Sequence, residues 1–199
     1  MALNFANNNS LSAITTLPAS ISGGAMTLIS EQTASGSATL DFTSGIDSTY
    51  DSYVFKFINI HGSVEQELTV NFSTDGGSNY NVTKTSTFFR SAHNEAGTDA
   101  SIVYVTSRDL AQGTINDILS LPIGNGSDES GSGEMTLYNP SSNTFVKHYM
   151  AQLNINDGEY CQTSFVGGYG NTTSPINAVR FQMDSGNIDS GVIKLYGIS

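Results

Sequence analysis

From Ala25 onward, short segments rich in Val, Ile, Phe, Tyr and Thr recur between clusters of Gly, Asn, Asp and Ser. This rhythm limits the fold more than any other feature. Branched and aromatic side chains suit a pleated, half-buried surface, and the intervening clusters supply turns. The pattern predicts strands over 26–30, 38–43, 52–60, 67–73, 83–90, 101–106, 134–138, 145–154, 162–167, 178–183 and 191–196. Alternation is cleanest at Leu68, Val70 and Phe72, with Glu67, Thr69 and Asn71 expected to face water, and at Val179, Phe181 and Met183, with Arg180 and Gln182 outward. Residues 51–60 are apolar on both parities, as expected of a strand central to a sandwich or covered by a second subunit. Only 109–119 has helical spacing (Leu110, Ile115, Ile118, Leu119), and Gly113 limits it to one or two turns.

The expected fold is therefore all-β: a jelly-roll-like antiparallel β-sandwich over residues 25–199, preceded by an extended N-terminal arm over 1–24. In the arm, Phe5, Leu11, Ile14 and Leu17 are spaced through Asn, Ser and Thr, and Pro18 and Gly23-Gly24 argue against a long helix. Asp75-Gly76-Gly77 offers the positive φ angles of a tight hairpin. Residues 124–133 (GNGSDESGSG) read as a mobile acidic loop.

A chain of 199 residues can bury a single sizeable core. Its charged content is 13%, so solubility rests on neutral polar side chains. Seven Lys and Arg against eighteen Asp and Glu give a net charge of -11. That balance disfavours nucleic acid and anionic membrane surfaces as partners. Cys161 is alone, which excludes an intramolecular disulfide and a cysteine-based zinc site. The first nine residues lack the basic and apolar regions of a secretory signal. Asn71 begins one of five glycosylation sequons, which would matter only in a eukaryotic secretory host.

No residue set assembles a reaction centre in the linear sequence, so neither an enzyme, a cofactor nor a metal is expected. His61, His93 and His148 are scattered, and His93-Asn94-Glu95 is the nearest approach to a metal or proton-relay pair. Ser130 lacks the strand-to-helix context of a nucleophile elbow. The adjacent acids Asp128-Glu129 and Asp157/Glu159 lack the separation that splits carboxylate pKa values. Asn154, Asn156, Asp157 and Glu159 crowd a turn that offers oxygens to calcium, though a hairpin is the simpler reading; 184–189 (DSGNID) reads the same way. Phe88, Phe89, Tyr160, Phe165 and Tyr169 lie near strand ends, and Tyr160 and Tyr169 are the candidate contacts for a glycan.

Four stretches resemble small virion structural proteins of marine tailed bacteriophages: the N-terminal MALNFANNNSLSAITTLPASISGGAMTLIS, the central TYDSYVFKFINI with the following STDGGSNY, NPSSNTFVKHYMAQLN, and SGNIDSGVIKLYGI at the C-terminus. The resemblance implies a sandwich that assembles on a phage particle, made in the host cytoplasm and carried on the virion. The implied partners are other capsid or tail proteins and further copies of the same chain, in a homo-oligomer such as a trimer. Phe5, Leu11, Ile14 and Leu17 would be the pegs of an arm that adds to a neighbouring subunit. The competing expectation is a tail-fibre or receptor-binding module, lectin-like, that holds host surface glycans.

Overall fold

Backbone polar groups in a chain of short apolar segments are satisfied by pairing segment with segment, and that pairing forms two antiparallel sheets. The computed structural model describes residues 26–199; the expected arm with Phe5, Leu11, Ile14 and Leu17 lies outside them. Twelve strands follow in order: β1 (Thr27–Ser37), β2 (Leu40–Phe42), β3 (Ser52–Gly62), β4 (Leu68–Ser73), β5 (Lys84–Asn94), β6 (Ala100–Tyr104), β7 (Asp117–Ile118), β8 (Gly131–Tyr138), β9 (Lys147–Asn156), β10 (Tyr160–Gly170), β11 (Ala178–Met183) and β12 (Ile188–Ile198). The larger sheet has the order β1-β12-β3-β8-β9-β10-β5-β6, the smaller β2-β11-β4-β7. The chain is thus the antiparallel β-sandwich that the sequence predicts.

Strand β3 takes the interior position of the larger sheet that its two-sided apolar sequence demands, between β12 and β8. Its inward rings meet those of the smaller sheet edge to face: Phe55 and Phe57 lie 5.0 and 5.1 Å from Phe181, and Phe42 lies 5.3 Å from Phe55. Each such aromatic pair adds roughly 0.5–1.5 kcal/mol to its area burial. Strand β9 alternates without a fault, with Lys147, Tyr149, Ala151, Leu153 and Ile155 inward and His148, Met150, Gln152 and Asn154 outward.

Four expectations are corrected. Residues 109–119 form no helix; a 3-10 turn occupies Thr106–Arg108, and the apolar residues that mimic helical spacing serve an extended segment laid along β4. Main-chain bonds from Leu119 to Leu68 and from Ile123 to Gln66 fix that segment. Thr69 and Asn71, expected to face water, are only 1% and 3% exposed: Asn71 bonds to Thr114 and Asn116, and Thr69 to the Gln182 carbonyl. The acidic stretch 124–133 is tied down rather than loose. The Nδ1–H of His61 donates to the Glu129 carbonyl at 2.9 Å, the Glu129 carboxylate accepts the Gly126 N–H, and from Gly131 the chain is already β8. Finally, Asp75-Gly76-Gly77 has the positive φ angles expected (72° and 90° at the glycines), but it joins β4 of one sheet to β5 of the other and so forms a corner, not a hairpin. The DSGNID turn likewise carries β11 across to β12.

Candidate functional site

The outer face of the larger sheet is the surface with the most unusual composition. Reading the register from edge to edge, one row crosses all eight strands: Tyr104, Phe89, Phe165, Gln152, Glu134, Lys56, Lys194 and Glu31. Because side chains on one face repeat every second residue, these eight stand side by side. The row divides in two. Toward β1 it is ionic, with Lys56 paired to Glu134 and Lys194 to Glu31 at 2.9 Å. Toward β6 it is aromatic, with the Phe89 and Phe165 rings stacked 4.8 Å apart at 8°.

Next to that pair runs a second row of Thr87, Gly167, Met150, Thr136 and Val54. Between the two rows lies a groove of about 420 Å³, lined by Phe89, Phe165, Met150, Tyr138, Thr136 and Gln152. Phe89 is 42% exposed and Met150 61%, so large apolar side chains meet water where a β-sandwich normally presents polar ones. Gly167 keeps the groove open. A Cβ at that position would meet only Thr87 Oγ1 at 3.8 Å, so neither packing nor a positive φ requires glycine there.

The expected glycan contacts do not come together. Tyr160 and Tyr169 stand at the two ends of β10, nine residues and so about 30 Å apart, on opposite parities and hence opposite faces. The Tyr160 hydroxyl donates to Asp99 at 3.2 Å, and that bond pushes its pKa up. Tyr169 is on the groove side, its ring 6.1 Å from that of His148. Of the remaining aromatic candidates, Phe88 is fully buried, while Phe89, next to it in sequence, and Phe165, the register partner of Phe89, form the stacked pair.

His93-Asn94-Glu95 also divides. Asn94 is buried and uses its carboxamide to hold Thr98 and Asp99, whereas His93 lines a shallow depression of about 240 Å³ with Glu95, Asn154, Tyr160 and Cys161. In the 154–159 turn the carboxylates act as caps: Asp157 Oδ1 accepts the Glu159 and Tyr160 N–H groups and Asn156 Oδ1 accepts that of Gly158, as in an ordinary hairpin. Among the described residues no group of three or more His, Cys, Asp or Glu side chains is placed to hold a metal ion.

All seven cations are engaged. Lys56, Arg108, Arg180 and Lys194 are in ion pairs, Arg90 bonds to Gln162, and Lys84 and Lys147 are buried. Among the described residues no helix is long and apolar enough to cross a membrane. The stacked phenylalanines and the groove are the candidate features least visible in the sequence. Their signal was the consecutive Phe88-Phe89, which a strand must send to opposite faces. No protein-family model and no curated protein matches the chain.

Proposed function

We propose that this protein is a non-enzymatic structural component of a bacteriophage particle, a capsid decoration or accessory head or tail subunit, attached through residues 1–24 and seated against its neighbours by the outer face of the larger sheet. The observation that carries this reading is the exposed aromatic groove. Apolar side chains held rigidly on paired strands gain by being covered, at roughly 25 cal/mol for each Å² removed from water, and a protein built to assemble supplies the cover. The resemblance of four sequence stretches to small virion proteins supports the phage setting. A neutral-polar, acidic surface and a two-sheet scaffold fit a subunit that packs in many copies.

The groove rather than the Tyr160–Tyr169 pair is also where a glycan would bind under the competing receptor-binding reading, since a sugar face stacks on an exposed aromatic ring flanked by Gln152 and Thr87. Peptide mass spectrometry of purified particles from the phage that encodes the chain tests the proposal. Its peptides are expected at a fixed copy number relative to the major capsid protein. Their absence from particles, with the protein found only in the infected-cell lysate, would overturn it. Glycan-array binding that is lost in Phe165→Ser, by a chain sited at a fibre tip, would favour the receptor-binding reading instead.

A further inference from the structure

Two lysines are buried in the sandwich, and they are held differently. Lys147 Nζ donates only to main-chain carbonyls, those of Phe145 and Thr172. Lys84 Nζ, on the first residue of β5, donates to the Val82 carbonyl at 2.9 Å and to the side-chain carbonyl oxygen of Asn71, on β4 of the opposite sheet, at 2.6 Å. A carbonyl bond is about 1.23 Å long, which puts the amide carbon of Asn71 about 3–3.5 Å from Nζ, the separation of a near-attack arrangement.

The carboxamide is also fixed and polarised. Its oxygen accepts a second bond, from the Phe72 N–H at 2.9 Å, and its Nδ2 donates to the Thr114 carbonyl and Asn116 Oδ1, both at 3.1 Å. The opposite flip would point Nδ2 at two donors. When Nζ turns from the oxygen to the carbon, the Phe72 N–H stays on the carbonyl oxygen and stabilises the negative charge that develops there during attack. Asp117, which follows Asn116, lies in the same buried cluster: Ser86, two residues along β5 from Lys84, donates to its Oδ1 at 2.7 Å, and the Tyr149 hydroxyl donates to Oδ2. Burial lowers the Lys84 pKa to about 8 and raises that of Asp117, so both groups are shifted toward their neutral forms.

We propose that Lys84 and Asn71 join in an intramolecular isopeptide bond, with Asp117 carrying the proton. Asp117, which makes no direct ion pair with Lys84 in the resting structure, takes a proton from the Lys84 ammonium through one bridging water. The freed lone pair of Nζ attacks Cγ of Asn71, a proton passes from Nζ to Nδ2, and the Cγ–Nδ2 bond breaks as the carbonyl reforms. The departing ammonia collects the proton from Asp117 and leaves as ammonium. No electrons change hands and no co-reactant is needed. The product is a covalent tie between the two sheets that closes the corner between β4 and β5 into a ring.

The mass of the full-length protein tests this directly. The linked chain is lighter than its sequence by one ammonia, about 17 Da. Trypsin does not cut after an acylated lysine, so the deficit should sit on one peptide spanning residues 57–90. The deficit should be absent in Lys84→Met, and it should form at least tenfold more slowly, or not at all, in Asp117→Asn. A wild-type chain that keeps its full mass after prolonged incubation at pH 8–9, and is cut after Lys84, overturns the proposal whatever the variants do. So does a light chain still cut after Lys84, which would be a succinimide. A deficit formed at the wild-type rate in Asp117→Asn removes Asp117 from the reaction.

Discussion

The cluster around Lys84, Asn71, Ser86, Asp117 and Tyr149 and the groove around Phe89, Phe165, Met150 and Tyr138 share strands β5 and β9, one on the inner face and one on the outer. Each reverses the usual distribution, with ionisable groups inside and aromatic rings outside. The inner region is complete within the chain. Among the described residues the only buried side-chain polar atoms without a partner are Tyr80 Oη and Arg108 Nε, and neither belongs to it. The outer region is not complete among the described residues, because its rings stack on each other but nothing described covers them. Buried polarity is tolerated when every lone pair and proton is matched; exposed apolar surface of this kind is where the proposed reading seats a second molecule.

The comparison breaks most visibly at Asp117. Asp117→Ala would strand the Ser86 and Tyr149 hydroxyls and leave Lys84 without its nearest buried counter-charge, and should cost about 3–5 kcal/mol in denaturant unfolding. Two glycines of the larger sheet, Gly133 and Gly167, come next. A Cβ at Gly133 would lie 2.2 Å from the Gln152 carbonyl oxygen and 2.7 Å from the Leu153 Cα, both backbone atoms that cannot retreat. Gly133→Ala should therefore destabilise by roughly 1–3 kcal/mol. Gly167→Ala, with open space in front of it, should be neutral or stabilising by up to about 1 kcal/mol. Gly167→Ile should instead fill the groove and lower incorporation into particles without lowering the melting temperature.

A smaller effect on folding, and a larger one on assembly, is expected outside. Phe165→Ser removes one ring of the stacked pair and should cost about 1 kcal/mol or less in stability, yet reduce co-sedimentation with particles. Unfolding curves and a pelleting assay on the same preparations separate the two effects.

Two further effects are read through pH. Asp75, on the surface at the β4–β5 corner, is held at about 2 by hydrogen bonds first from Asn79 and then from Ser73, below its ordinary 3.8. Its contribution is present above pH 3.8 and is lost as pH falls toward 2, a loss that Asp75→Asn should abolish. Lys84 behaves in the opposite direction. With a folded value near 8 against 10.5, the unfolded chain binds the extra proton between those values, so a free Lys84 makes stability rise across that window. An acylated Lys84 gives no such rise, and denaturant unfolding against pH, compared with Lys84→Met, distinguishes the two.

Much of the sandwich could be read from alternation and turn chemistry. Eleven of the strands fall where branched and aromatic runs predict them, most clearly at β9 and β11. β7 escaped because it is two residues long and its neighbours mimic a helical stripe. The burial of Thr69 and Asn71 escaped for a related reason: alternation reports two faces, and cannot report that a distant segment folds over the polar one. The sites were less legible still. Phe89 faces Phe165 only through the β5–β10 register, and Lys84 meets Asn71 only because the 75–77 corner turns the chain from one sheet into the other. Spacing along the chain carries neither fact. Tyr160 and Tyr169 illustrate the converse, since nine residues of strand place two residues of like chemistry on opposite faces.

The most direct test of the central claim, that this fold is a particle subunit seated through its outer sheet face, is a cryo-EM map of intact particles at a resolution that shows side chains. The account predicts density for this chain on the virion with the Phe89–Phe165 groove occupied by a neighbouring polypeptide. A map in which the chain is present but that groove is open to solvent, or in which the chain is missing altogether, would contradict it.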